Sequence, residues 1–230
     1  MNKNINTHIF TYLSILYLFS VFFLYQKHDV ANDSTISEWL INYEGGFTKR
    51  GLIGQFSIYL LNFFLIKLRD AILLFQLLVV GTYFFLIYQF LKNILYNKIF
   101  ILAIFTPIFI LYPVAEIEVL ARKEIFVFIY LLIFSFIPIN KKKFKFFYKL
   151  FLFPITILIW EPVIFFILFF LFLDLVENNI RKLNRLFLFQ IISYLPSVLL
   201  AFYIALNPIS EESHKLMTTS LIENFNENCY

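Results

Sequence analysis

Two adjacent cations, Lys49 and Arg50, stand three residues after a Gly45-Gly46 pair and directly before Gly51. Paired glycines permit a tight turn and close backbone approach. Cations beside the free amides of a helix start suit a phosphate or another anion. Gly45, Gly46, Lys49 and Arg50 are therefore candidate phosphate or lipid-headgroup binders. Glu44 precedes the turn, and Asp29 and Asp33 lie four residues apart upstream, on one face if that stretch is helical. These three carboxylates are the candidate catalytic acids or bases. A structural alternative stands beside them, since Asp33-Ser34-Thr35 followed by Glu38 also fits a cap for a short helix reaching Trp39 and Leu40. Arg122 and Lys123 extend the cationic set, with Glu116, Glu118, Glu124, Trp160 and Glu161 in support. Glu118 and Arg122, again four apart, would equally well pair on a helix surface.

The elements that must position these groups are apolar. Hydrophobic residues make up 61% of the chain and charged residues 15%, with mean hydropathy +0.81. That balance excludes an ordinary soluble domain and indicates an all-α, polytopic transmembrane helix bundle. The 33 Phe and 14 Tyr read as lipid-facing bulk rather than a ligand box. Cys229 has no partner for an internal disulfide. His8, His28 and His214 show no metal-ligand spacing, and no P-loop or Rossmann pattern supports nucleotide chemistry. No nucleic-acid partner is expected.

Apolar runs predict about seven crossings: 9–25, 71–91, 99–114, 125–139, 144–160, 163–176 and 186–206. Residues 52–66 are expected to lie along the interface as a juxtamembrane helix. The run over 150–176 is too long for one crossing and would bury Glu161, so it reads as a hairpin turning at Trp160-Glu161-Pro162. Apart from Glu161, the spans are expected to carry almost no ionisable residues. The chain reads as a single integral membrane domain over 1–230, with an outer loop at 26–50 and a polar tail at 207–230. Short cytoplasmic loops collect Lys and Arg. Placing the N-terminus inside and the C-terminus outside puts 11 of the 19 basic residues on the cytoplasmic side, with only Asp174 and Glu177 of the 15 acids. The three polar groups then emerge together on the outer face, where they could line one cavity. The expected location is the bacterial cytoplasmic (inner) membrane.

Asn42 to Gly54 resembles a loop reading N-x-E-G-G-F-x-[KR]-R-G-L-[LI]-G, found after the first span in multi-spanning bacterial membrane proteins of surface-polysaccharide and lipid-linked sugar pathways. Arg122-Lys123-Glu124 is similar to an Arg-Lys-Glu triplet after a later span in some of them. Trp160-Glu161-Pro162 matches a Glu in a short apolar turn, with Trp where His is expected. The resemblance implies a place near the C-type glycosyltransferases, which use polyprenyl-phosphate sugars at the outer membrane face, although 230 residues is short for a complete one. Such chemistry needs a carboxylate to orient or deprotonate an acceptor hydroxyl. It also needs cations or a divalent metal ion against the leaving phosphate. The expected partners are membrane lipids and a polyprenyl-phosphate sugar. Two alternatives stay open: a non-catalytic lipid-binding or scaffold subunit of a polysaccharide assembly or export system, and a transporter, which would want ionisable residues at mid-membrane.

Overall fold

The computed structural model describes residues 3–28, 34–92, 98–105, 120–178 and 185–227. Among them there are helices and connecting turns and no strand: α1 (Lys3–His28), α2 (Ser34–Leu40), α3 (Gly51–Phe64), α4 (Leu68–Lys92), α5 (Lys98–Phe105), α6 (Ile125–Phe136), α7 (Lys142–Ile159), a 3₁₀ segment (Glu161–Phe166), α8 (Ile167–Glu177), α9 (Arg185–Ile192), α10 (Leu195–Leu206) and α11 (Glu211–Phe225). Among the described residues, three stretches are long and apolar enough to cross a membrane: Ile5–His28, Leu68–Lys92 and Phe187–Leu206, the last formed by α9 and α10 together. Their outward faces carry large apolar side chains such as Phe19, Phe22, Leu78, Phe85 and Phe202.

One hydrophobic core joins α1, α2, α3 and α4 to the start of α6, and a second joins α6, α7, the 3₁₀ segment, α8 and α10. Helix α6 belongs to both and ties the halves together. Helix α3 has fourteen residues, about 21 Å at 1.5 Å per residue, against a hydrocarbon layer of about 30 Å. It starts beside Glu161, at the exit of α7, and ends at the turn into α4, whose Asp70 lies 2.7 Å from His28 at the end of α1. Helix α3 therefore runs from the exit of α7 to the start of α4, packing on α4 through Phe56 and Phe75. Gly54 makes this possible: a Cβ there would stand 2.1 Å from the Ile41 carbonyl oxygen.

Helix α7 stops at Ile159 because Trp160 is extended (φ −152°) and Pro162 follows, a residue that cannot continue the helix ladder. The chain reverses here. Lys145 pairs with Glu177 and Lys149 with Asp174, so α7 and α8 run antiparallel, as the hairpin reading requires. The Lys149 ammonium also donates to Gln190, lies over the Tyr194 ring, and is fully buried, as is Asp174. This corrects the expectation that the apolar runs hold almost no ionisable groups. The sequence reading assigns both charges to the cytoplasmic side, because each sits near the end of its run, where a solvated position is the ordinary reading.

Of the expected crossing at 99–114, α5 covers the first residues and 106–119 lie outside the described residues. The polar tail folds into α11. Ser210 caps it by accepting from the Ser213 amide at 3.1 Å, and Met217 and Leu221 are buried beneath it.

Candidate functional site

The site grows from the turn between α2 and α3. The buried Asn42 amide closes the chain on itself, donating to the Leu40 carbonyl and accepting from the Glu44 amide. Asn favours this turn geometry because its short side chain substitutes for backbone partners. Gly46 follows at φ +113°, a conformation that glycine adopts without steric cost. Arg50, at φ 61°, takes a left-handed conformation immediately before α3, rare for a residue with a Cβ. Two contacts hold it there. The Lys123 ammonium donates to the Arg50 carbonyl at 2.6 Å, and the Arg50 guanidinium forks onto Glu161, Nε to Oε2 at 2.7 Å and Nη2 to Oε1 at 3.1 Å.

A third segment joins through Trp39, whose indole donates to the Ala121 carbonyl at 2.9 Å. Trp39 is fully buried between Phe75 and Phe126 and fixes the 120–124 turn, where Ala121 has φ 56°. Arg122 then reaches Glu38 at 3.0 Å and Glu124 at 3.5 Å, and Arg50 Nη1 stands 3.4 Å from the same Glu38 oxygen. Lys49 Nζ lies 3.8 Å from Glu161. Three cations, Lys49, Arg50 and Arg122, thus face three carboxylates across segments more than 110 residues apart in the chain.

Burial alone would raise the Glu161 pKa, but the Arg50 fork outweighs it and holds the carboxyl below the usual carboxylate range. Burial likewise opposes the charges on Arg50 and Arg122, and their carboxylate partners more than offset it, leaving both guanidinium groups above their ordinary value. Glu161 and the two arginines are therefore charged at neutral pH. Glu38 Oε2 and Glu124 Oε2 are buried without a hydrogen-bond partner among the described residues.

The sequence candidates fall into distinct places. Arg50, Arg122, Glu124 and Glu161 lie in the network, and Lys49 at its rim with its side chain 60% exposed. Lys123 is wholly buried and fastens the backbone, so it offers nothing to a ligand. Trp160 packs between the two cores. Glu44 accepts from the Ser220 hydroxyl on α11, away from the cations. A Cβ on Gly45 would stand 2.0 Å from the Ser213 carbonyl oxygen. The glycine pair thus lets the loop approach α11 of the same chain, where the sequence suggested approach to a ligand. Asp29, Asp33, Glu116 and Glu118 lie outside the described residues.

Sequence reasoning offers Glu38 only as part of an alternative capping arrangement, whereas it is the shared acceptor for Arg50 and Arg122. Its signal was arithmetic: a cluster of buried cations needs carboxylates near it, and Glu38 is adjacent to the buried Trp. Among the described residues no three His, Cys, Asp or Glu side chains stand close enough together to hold a metal ion.

Beside the network opens a pocket of about 480 Å³. Lys49 and Glu161 stand at its polar end, and Ile164, Phe165, Ala201 and Ile204 form its apolar walls. Compared with protein-family models, curated proteins and solved structures, the chain matches none.

Proposed function

We propose that the chain is a multi-pass protein of the bacterial cytoplasmic membrane whose joined loops receive the phosphate of a polyprenyl-phosphate-linked sugar at the extracytoplasmic face. In this reading the chain crosses about seven times, with the N-terminus inside, and it resembles a glycosyltransferase. The observation that carries it is the exposed Lys49 ammonium at the rim of a neutralised Arg50–Glu161 fork, at the mouth of an apolar pocket. A phosphate would meet Lys49 first and Arg122, about one-third exposed, second. Arg50 keeps Glu161 neutralised and positions the rim.

A second reading, a non-catalytic lipid-binding component of a polysaccharide assembly system, is favoured by the engagement of Glu44, the one candidate catalytic acid among the described residues, with Ser220. Acid-to-amide variants separate the two. If the chain is a transferase, Asp29→Asn or Asp33→Asn abolishes glycan formation in a complemented null strain while lipid binding persists. If it is a carrier, both variants complement. Loss of neither function in Lys49→Ala removes the shared premise. The topology is tested by reporters fused after Lys145, expected to behave as cytoplasmic, and after Ser210, expected to behave as extracytoplasmic; the reverse pattern at both sites overturns it.

A further inference from the structure

The pocket beside Lys49 has a direction. Its polar end holds Lys49, Glu161 and Asn207, and from there it follows α10 back past Ala205 to Ala201. Six residues of helix separate Asn207 from Ala201, about 9 Å of length. Ala201 and Ala205 are four apart and so occupy one face of α10, where their small side chains leave a channel. Phe165 and Ile164 of the 3₁₀ segment wall the opposite side. The 3₁₀ winding contributes here, because it turns this face of the Glu161–Phe166 segment away from the α-helical register of α8.

The loop bearing Lys49 is fastened to α10. Phe47 packs on Tyr203 of α10 with ring centroids 5.5 Å apart and stacks on Tyr43 at 5.6 Å. These contacts hold the loop at the end of α10, where Lys49 shares the pocket lining with Asn207. Glu161 would repel an anion at this mouth if it stood alone, but the Arg50 fork already neutralises it. The remaining charge at the mouth is the Lys49 cation, and everything beneath Asn207 on the α10 wall is apolar.

We infer that this channel seats one hydrocarbon chain of a membrane lipid monophosphate, with the phosphate on Lys49 and the chain lying along Ala205 and Ala201 between α10 and the 3₁₀ segment. The inference rests on the lipid-phosphate reading of the site above and adds the chain-binding surface. Ala201 and Ala205 then set which chains fit: a side chain larger than alanine at either position fills the channel without touching the phosphate contact. Binding requires both halves of the ligand, because neither a single exposed ammonium nor a channel open to the surrounding apolar layer retains a ligand by itself.

The test uses the full-length chain in neutral detergent, titrated with farnesyl phosphate, farnesol and inorganic phosphate and read by native mass spectrometry. Wild type is expected to retain farnesyl phosphate and neither of the other two. Ala205→Phe is expected to weaken farnesyl phosphate binding about tenfold or more, the equivalent of losing two buried methylenes. Lys49→Ala is expected to weaken it similarly. Should Ala205→Phe fail to fold, Ala201→Leu tests the same wall with a smaller change. Wild-type affinity in both alanine variants, with loss in Lys49→Ala, overturns the channel and leaves the headgroup site standing. Wild-type affinity in Lys49→Ala as well overturns the underlying site. Equal retention of farnesol shows a non-specific apolar contact and also overturns the inference.

Discussion

Removing one member of the buried Lys149–Asp174 pair should be far more damaging than removing both. Both residues are essentially inaccessible, 0% and 1% exposed, and Lys149 Nζ lies 2.6 Å from Asp174 Oδ2. In Lys149→Met the Asp174 carboxylate keeps, among the described residues, only the Tyr194 hydroxyl at 3.2 Å as a charge-facing donor, and its Oδ1 already lacks a partner among them. An uncompensated charge of this kind costs about 3–5 kcal/mol. Asp174→Leu strands the ammonium with Gln190 and the Tyr194 ring, a comparable loss. The double variant carries no charge to desolvate, and apolar replacement of a whole buried pair is often neutral or stabilising by about 1–4 kcal/mol. The expected double-mutant coupling is therefore at least about 3 kcal/mol. Unfolding of the purified protein in detergent or bicelles, followed for wild type, both singles and the double, measures it. Additive losses, or a single variant within about 0.5 kcal/mol of wild type, would refute the view that this pair is a closed, mutually dependent unit.

Three further outcomes follow from the site. Arg50→Lys keeps a cation but loses the two-pronged grip on Glu161, so stability should fall by about 1–2 kcal/mol in a thermal unfolding assay; an unchanged midpoint would mean that the fork is dispensable. The depressed Glu161 pKa contributes stability above the unfolded value, about pH 4.3, and that contribution disappears as pH falls through the lower folded value. The acid limb of the unfolding profile should flatten in Glu161→Gln, and an identical limb would contradict the pairing. Gly54→Ala sets a methyl 2.1 Å from the Ile41 oxygen and 2.8 Å from the Trp39 oxygen, both backbone atoms, so at least about 1–3 kcal/mol should be lost, and full expression with a wild-type melting profile would argue against this helix contact.

The helical class and the three long apolar stretches were legible because continuous hydrophobic runs need no tertiary information to interpret. The meeting of Arg50 with Glu161 was approachable for a different reason: charge asymmetry between loops placed both at one end of the bundle. What the sequence concealed is instructive residue by residue. Gly45, Gly51 and Gly54 have the same appearance whether the approaching partner is a ligand or another part of the chain, and here the partners are α11, the Tyr43 ring and the end of α2. Glu38 could be assigned to the network only after Trp39 was seen to bury itself and draw in Ala121. Helix α11 was hidden by its composition, since two buried residues, Met217 and Leu221, spaced four apart in a polar segment produce too weak a pattern to stand out from a solvated tail.

The Arg50–Glu161 fork joins residues 111 positions apart, and this imposes an order on biogenesis. A ribosome adding about 5–20 residues per second leaves Arg50 waiting roughly 6–22 s for its counterion. During that interval the nascent chain holds Arg50 and Glu38 but not the Glu161 carboxylate, and for the first 73 residues of it not the Lys123 clasp either. The two halves cannot lock until the second hairpin has been inserted. A product truncated before Glu161 would therefore keep Arg50 beside the first core with only the longer 3.4 Å contact to Glu38, so the two-pronged grip is a property of the finished chain alone.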